Sequence, residues 1–154
     1  MKKLNILVAC EESQAVTKAL RKLKHNAYSC DLLKCSGKRP NWHFNCDVFK
    51  VINELGGELQ SGKKVKVKKW DLMIAHPSCQ YLCNSGVSHL HKDKSRWDEL
   101  KKASEFFKTL LNTNIKKICV ENPIPHKYGE LPKYSQIIQP YQFGHMERKA
   151  TCLW

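Results

Sequence analysis

Seven short runs rich in Val, Ile, Leu, Cys and aromatic residues are the feature that most constrains the fold, because such runs are typical of β-strands. They fall at residues 4–10, 26–32, 42–48, 70–76, 116–121, 136–140 and 150–154. Amphipathic helical patterns separate some of them, one over 16–23 behind Ser13 as the predicted N-cap and one over 93–112. This alternation predicts an α/β fold with a mostly parallel sheet of six to seven strands and helices on both faces.

The size and composition favour a single folded domain over residues 1–154. The chain has 154 residues, 42% of them hydrophobic, and contains no internal repeat. Its longest apolar runs stop at about five residues, whereas a membrane-spanning helix needs roughly 20. The N-terminus lacks the pattern of a signal peptide. We therefore expect no membrane partner and a cytoplasmic location, which is the host cytoplasm if the protein is viral.

The cysteines and histidines do not have the spacing of a metal site. The eight cysteines are expected to be reduced thiols. His76, Cys79 and Cys83, with His89 and His91 nearby, match no common zinc motif, and we predict no metal. The nucleobase-deaminase signature, His-x-Glu with Pro-Cys-x2-Cys, is absent. The tryptophans are interpreted as packing residues and not as base-stacking platforms; they are Trp42, Trp70 and Trp97.

A basic insertion at about 60–69 carries much of the positive charge. The chain has 27 Lys and Arg against 14 Asp and Glu, a formal net charge of +13. The segment is compatible with a short hairpin or a mobile loop, either simply solvated or binding phosphates of nucleic acid. The predicted nucleic-acid-binding residues are Lys63, Lys64, Lys66, Lys68 and Lys69.

Polar residues stand at the predicted carboxyl ends of five strands. They are Cys10-Glu11-Glu12, Asp31, Asp47, His76-Pro77 and Glu121-Asn122. Ligands bind at this edge of parallel sheets. Asp31, about 20 residues after the first turn, suits the two hydroxyls of a nucleotide ribose. A turn or helix-cap role is the alternative for such an Asp.

Two of these segments resemble a known family. Pro77-Ser78-Cys79-Gln80 and Glu121-Asn122-Pro123 are similar, in order and placement, to the catalytic motifs of DNA cytosine-5 methyltransferases. Segments 10–14 and 139–144 resemble those of compact members from bacteriophage and mobile-element genomes. The resemblance covers nearly the whole chain. It implies a Rossmann-like methyltransferase fold that uses S-adenosylmethionine.

The resemblance also implies roles for individual residues. Cys79 would be the nucleophile and Glu121 its carboxyl partner. Asp31 would hold the ribose of S-adenosylmethionine and Asp47 would face its adenine. The implied catalytic set is Cys79, Gln80, Glu121, Asn122 and Arg148. The implied cofactor-binding set is Ala9, Cys10, Glu11, Glu12, Asp31, Asp47, His76 and Pro77.

The implied activity is methylation of cytosine C5 in nucleic acid, with DNA as the expected partner. The positive charge suits such a polyanion. The chain departs from the family pattern in three ways: the turn over 9–13 has no Gly, Ser78 stands where the family has Pro, and no target-recognition domain is present. These departures leave open a catalytically inactive binding protein with a regulatory or counter-defence role, or a methyltransferase of free nucleotides. A partner subunit that supplies target recognition is also left open.

Overall fold

The computed structural model describes residues 2–154, apart from the side chain of Ser85. The chain forms two compact units. The first contains the described residues up to His76 together with Asn114–Cys119, and the second contains Pro77–Thr113 and Val120–Trp154. The strand that spans Ile118–Pro123 begins in the first unit and ends in the second.

The first unit is built on parallel strands. Its elements are β1 (Asn5–Ala9), α1 (Ala15–Lys22), β2 (Asn26–Asp31), β3 (His43–Asn45), α2 (Val48–Asn53), β4 (Gly56–Glu58), β5 (Lys64–Lys66), β6 (Leu72–Ala75) and the start of β7 (Ile118–Pro123). β1 pairs in parallel with both β2 and β6, and β2 pairs in parallel with β3. The amide of Met73 in β6 donates to the carbonyl of Lys117, just before β7, at 2.9 Å.

Helices cover both faces of these parallel strands. Ile6, Val8 and Ala27 pack on Val16 and Leu20 of α1. Neighbouring residues of a strand point to opposite faces, so Tyr28 lies on the other side. Its ring contacts Phe44 and Trp70. The indole of Trp70 donates to the carbonyl of Val51 in α2 at 3.3 Å, which places α2 on that second face.

The second unit combines a long helix with antiparallel strands. It contains α3 (Asn84–Val87), α4 (Ser95–Leu111), the end of β7, β8 (Gln136–Ile138) and β9 (Thr151–Leu153). β9 lies between β7 and β8 and pairs antiparallel with both. Phe107, a buried residue of α4, packs edge-on against Trp154, with 4.9 Å between the centres of the two rings.

The strand order β3-β2-β1-β6-β7-β9-β8 confirms the predicted α/β class with a mostly parallel sheet of seven strands. β3 is shorter than predicted because the chain turns at Asp47 and enters α2, a helix too short to give a periodic pattern. Ser13 is not the N-cap of α1; that prediction was wrong, and Gln14 occupies the position. Trp70 is buried, as predicted, whereas Trp97 is 39% exposed and does not belong to the core.

The basic insertion forms a hairpin and not a mobile loop. β4 and β5 pair antiparallel, with Gly57 opposite Val65. All five predicted lysines are exposed, and Lys69 pairs with Asp71 at 3.5 Å. None of the helices formed within residues 2–154 has the length and apolar character that crossing a membrane requires.

Candidate active site

Three predicted cofactor residues lie close together in the first unit. Cys10 follows β1, Asp31 ends β2 and Asp47 follows β3. Burial, and then the negative charges of Asp31 and Asp47, raise the pKa of the Cys10 thiol to about 12. The negative charges of both acids therefore act on one half-buried thiol at the carboxyl ends of these parallel strands.

The turn after β1 reaches an unusual backbone conformation without glycine. Cys10 (φ 56°) and Gln14 (φ 61°) are both left-handed, a conformation that side chains with a Cβ adopt at a cost. The buried Gln14 amide stabilises the turn, since it accepts from the Arg39 amide and donates to the Arg39 carbonyl, each at 3.0 Å. A Cβ on Gly37 would collide with the Ser13 carbonyl, so loop and turn pack closely.

Glu11 and Glu12 bind their own chain. Glu11 is only 5% exposed. Its carboxylate accepts from the Val16 amide (2.6 Å), the Thr17 amide (3.3 Å) and the Thr17 hydroxyl (2.6 Å). It thus caps α1 from outside the helix. Glu12 accepts from the Ser36 amide at 3.2 Å. Both side chains shape the turn, and Glu11 has its two oxygens committed to α1.

Asp31 and Asp47 have the local roles that were the alternative to ligand binding. Oδ1 of Asp31 accepts from the Leu33 amide at 2.9 Å, which is a turn contact. Oδ1 of Asp47 caps α2 by accepting from the Phe49 amide at 2.7 Å. Oδ2 of each has no hydrogen bond to any residue from 2 to 154. Leu32, which follows Asp31 in the sequence, is 76% exposed.

Ala9 and His76 join neighbouring strands at the same edge. Ala9 is fully buried, and its carbonyl accepts from the His76 amide at 3.0 Å. Ala9 therefore takes part through its backbone. His76 is half-buried at the end of the first unit.

In the second unit, the loop that carries Cys79 is attached to β7 and the residues after it. Nδ2 of Asn122 donates to the carbonyl of Pro77 at 2.9 Å. The amide of His126 donates to the carbonyl of Leu82 at 2.7 Å. Cys79 lies between these two attachments, which hold the loop beside the strand of Glu121 and Asn122. The two segments that resemble the family's catalytic motifs are therefore in contact.

Asn122 has a buried polar atom that the protein leaves unbonded. The residue is 1% exposed, and its Oδ1 accepts no hydrogen bond from the described residues. Buried acceptors are normally paired. Glu121, the preceding residue, points to the other face of β7. Glu121 is half-buried. Burial of the Cys152 thiol is the main cause that raises its pKa, and the negative charge of Glu121 raises it further.

Cys79 is half-buried and is not activated in this structure. Burial and then the neighbouring Cys83, through its charge and a hydrogen bond, raise the pKa of the Cys79 thiol above its ordinary value. The positive charge of Lys149 opposes this increase in pKa. A reactive cysteine usually has a lowered pKa, whereas the raised pKa of Cys79 favours the protonated thiol.

The backbone around Gln80 is held by α3. Gln80 is exposed, and its backbone N–H donates to the hydroxyl of Ser78 at 3.3 Å. A Cβ on Gly86 of α3 would collide with the Gln80 carbonyl oxygen. Glycine at this position therefore allows α3 to pack directly on the loop, and Ser78 closes the turn where the family has Pro.

Sequence reasoning selected Arg148 as the cation of the site and missed Lys149. Arg148 is exposed, whereas the neighbouring Lys149 is the residue whose charge acts on Cys79. Arg96 was also missed. Its guanidinium lies 4.8 Å from the centre of the Tyr81 ring and donates to the Gly86 carbonyl at 3.4 Å. No pattern in the sequence pointed to Arg96, which lies in α4.

Comparisons with known proteins add only distant similarity. No protein-family model and no curated protein matches the chain. Among solved structures, the bifunctional kinase-methyltransferase WbdD is similar, including a co-crystal with the kinase inhibitor LY294002. The identity is 14%, the TM-scores are 0.46 to 0.48, and the match covers 99% of this chain but 34 to 36% of WbdD. This similarity carries no argument about function, which depends on the residues described above.

Proposed function

We propose that this chain is an S-adenosylmethionine-dependent methyltransferase with a Rossmann-like fold that acts on C5 of cytosine in nucleic acid. The observation that carries the proposal is the hydrogen bond between Asn122 and the Pro77 carbonyl. It joins the Cys79 loop to β7, the strand that also carries Glu121. The unbonded Oδ1 of buried Asn122 supports a polar ligand at the same place.

The residues at the strand ends of the first unit fit the cofactor. Oδ2 of Asp31 is available to a ribose hydroxyl, and the exposed Leu32 beside it offers an apolar surface to adenine. The left-handed turn at Cys10 brings backbone, without a glycine, to the edge where nucleotides bind. When bound, S-adenosylmethionine would supply an electrophilic methyl group.

The protein's own chemistry concerns the base. C5 of cytosine is a poor nucleophile until the Cys79 thiol gives its proton to water and the resulting thiolate adds to C6, forming the S–C6 bond and moving an electron pair toward C5. The carboxyl group of Glu121 would hydrogen-bond to N3 and the exocyclic amine and so stabilise the changed ring. Once C5 carries the methyl group, it gives its proton to water and the thiolate leaves, which breaks the S–C6 bond and restores the aromatic ring.

A trapping experiment tests this proposal. DNA that contains 5-fluorocytosine should form a covalent adduct with Cys79 in the presence of S-adenosylmethionine, because fluorine at C5 cannot leave as a proton. Mass spectrometry should locate the adduct on Cys79. It should be absent from Cys79→Ser, slower in Glu121→Gln, and retained in Cys83→Ser, which removes the neighbouring thiol and serves as the matched control.

A second candidate function is a catalytically inactive protein that binds nucleic acid or cofactor. The raised pKa of Cys79, caused by burial and Cys83, favours it. The same experiment separates the two candidates. If calorimetry detects cofactor binding and DNA is bound, but no adduct forms on the wild-type protein, the binding function is correct and methyl transfer is not.

A further inference from the structure

A groove in the first unit, along α1 and the loop before β3, has a strongly one-sided charge. It has a volume of about 830 Å³ and is lined by seven Lys and Arg side chains and by no Asp or Glu. Lys3 and Asn26 lie at the amino ends of β1 and β2, whereas Gly37 and Arg39 contact Ser13 and Gln14 in the turn after β1, so the groove runs along the flank of α1. The hairpin lysines belong to another part of the surface.

The centre of the groove is organised around one tryptophan. The guanidinium of Arg21 lies 4.4 Å from the centre of the Trp42 ring and that of Arg39 lies 5.3 Å from it. Nε of Arg21 donates to the Ala27 carbonyl at 2.7 Å. Trp42 is only half-buried. A guanidinium fixed by stacking and by a backbone acceptor is pre-organised for a phosphate, because it loses little freedom on binding.

We infer that this groove binds the phosphodiester backbone of nucleic acid, separately from the reaction site. The inference rests on the proposed function only for the choice of nucleic acid as the polyanion. Seven cations along one open groove exceed the number that a single phosphate can pair with, whereas a backbone presents a row of phosphates and gains affinity from each counterion released. Trp42 contributes by holding the guanidinium groups of Arg21 and Arg39 in place.

Asp31 and Asp47 are not among the residues that line the groove. Nucleic acid in the groove need not contact either acid. It would provide affinity along the strand without reading its sequence, since phosphate contacts position a protein and carry no direct sequence information.

A charge-matched pair of variants tests the inference. The groove variant is Lys22→Gln, Lys38→Gln, Arg39→Gln, and the control is Lys92→Gln, Lys101→Gln, Lys116→Gln, which removes three exposed charges elsewhere. Binding to 30-nucleotide single-stranded and duplex DNA is measured against salt concentration. We expect the groove variant to bind about tenfold more weakly than the control, with a salt slope smaller by up to about three.

A second measurement uses the wild-type protein and so does not depend on the folding of a variant. Lysine acetylation followed by mass spectrometry should show that DNA protects Lys22 and Lys38 but not Lys101. Equal binding by the groove variant and the control would overturn the inference, as would protection by anionic vesicles but not by DNA. If only a third variant, Lys64→Gln, Lys66→Gln, Lys68→Gln, lost DNA binding, the DNA contact would belong to the β4–β5 hairpin and not to the groove. Because no methyl transfer is measured, failure of the Cys79 adduct leaves this result unaffected.

Discussion

Cys79 is surrounded by groups with opposite effects on its thiol. Burial raises its pKa, the neighbouring Cys83 raises it further, and Lys149 lowers it. The rate of alkylation depends on the fraction of thiolate, so each neighbour has an expected sign. At pH 8, Cys83→Ala should increase the reactivity of Cys79 because it removes an ionisable neighbour and its hydrogen bond. Lys149→Gln should decrease that reactivity because it removes the positive charge.

The measurement for this prediction is the rate of iodoacetamide labelling at Cys79, resolved by mass spectrometry because the chain has eight cysteines. In the wild type, the rate should keep rising with pH from 7 to 9, because the raised pKa of Cys79 keeps the thiolate fraction increasing over that range. The Cys79→Ser variant identifies the peptide. A wild-type rate that is already constant between pH 7 and 9 would show a low pKa and contradict the structure.

At the scale of elements, α1 depends on a cap that comes from outside the helix. Glu11 accepts three hydrogen bonds from Val16 and Thr17. Glu11→Gln replaces one acceptor oxygen by an NH₂ group that faces donors. It should cost about 1 to 3 kcal/mol of unfolding free energy. Urea unfolding without any ligand measures this, with Glu12→Gln as the matched control because Glu12 accepts from one amide group only.

The Glu11 experiment also distinguishes a structural role from a direct cofactor contact. A structural cap lowers the stability of the protein without ligand. If Glu11→Gln left the unfolding free energy unchanged and weakened only the binding of S-adenosylmethionine, Glu11 would be a ligand-binding residue, as the family resemblance implies, and the capping role would be wrong.

The strands were predictable from the sequence and the short elements between them were not. Runs such as Ile6–Ala9 are buried on both faces and are apolar throughout, which is a clear signal. α2 has only six residues, fewer than two full turns, so no periodicity forms. Its cap, Asp47, was selected only for its position after a strand. The capping role of Glu11 was also hidden, because the contact from Glu11 to Thr17 spans six residues, beyond the usual capping positions.

At the scale of the whole molecule, the order of motifs predicted which segments would meet. The pairing of β6 and β7 as neighbours follows from the alternation of strands and helices, and it brings the Cys79 loop to β7. The basic groove was not predictable, because Lys3, Arg21 and Arg39 are far apart in the sequence and meet only through folding. The lysine run of the hairpin, by contrast, is visible as a local pattern.

The net charge of +13 should make the stability of the whole chain depend on salt. Even if all 14 acidic residues were paired, 13 of the 27 Lys and Arg would have no partner, and their mutual repulsion disfavours the compact state. Raising NaCl from 20 to 500 mM shortens the screening length to a few ångströms. If this screening adds about 1 kcal/mol to the free energy of unfolding, the Tm should rise by about 2 to 4 °C. The Lys92→Gln, Lys101→Gln, Lys116→Gln variant, with a charge of 13 − 3 = +10, should show a smaller rise in Tm when it is measured by scanning calorimetry.

A Tm that falls with NaCl in both proteins would mean that attractive pairs outweigh repulsion. A rise that occurs with sulfate but not with chloride at equal ionic strength would indicate bound anions instead of screening.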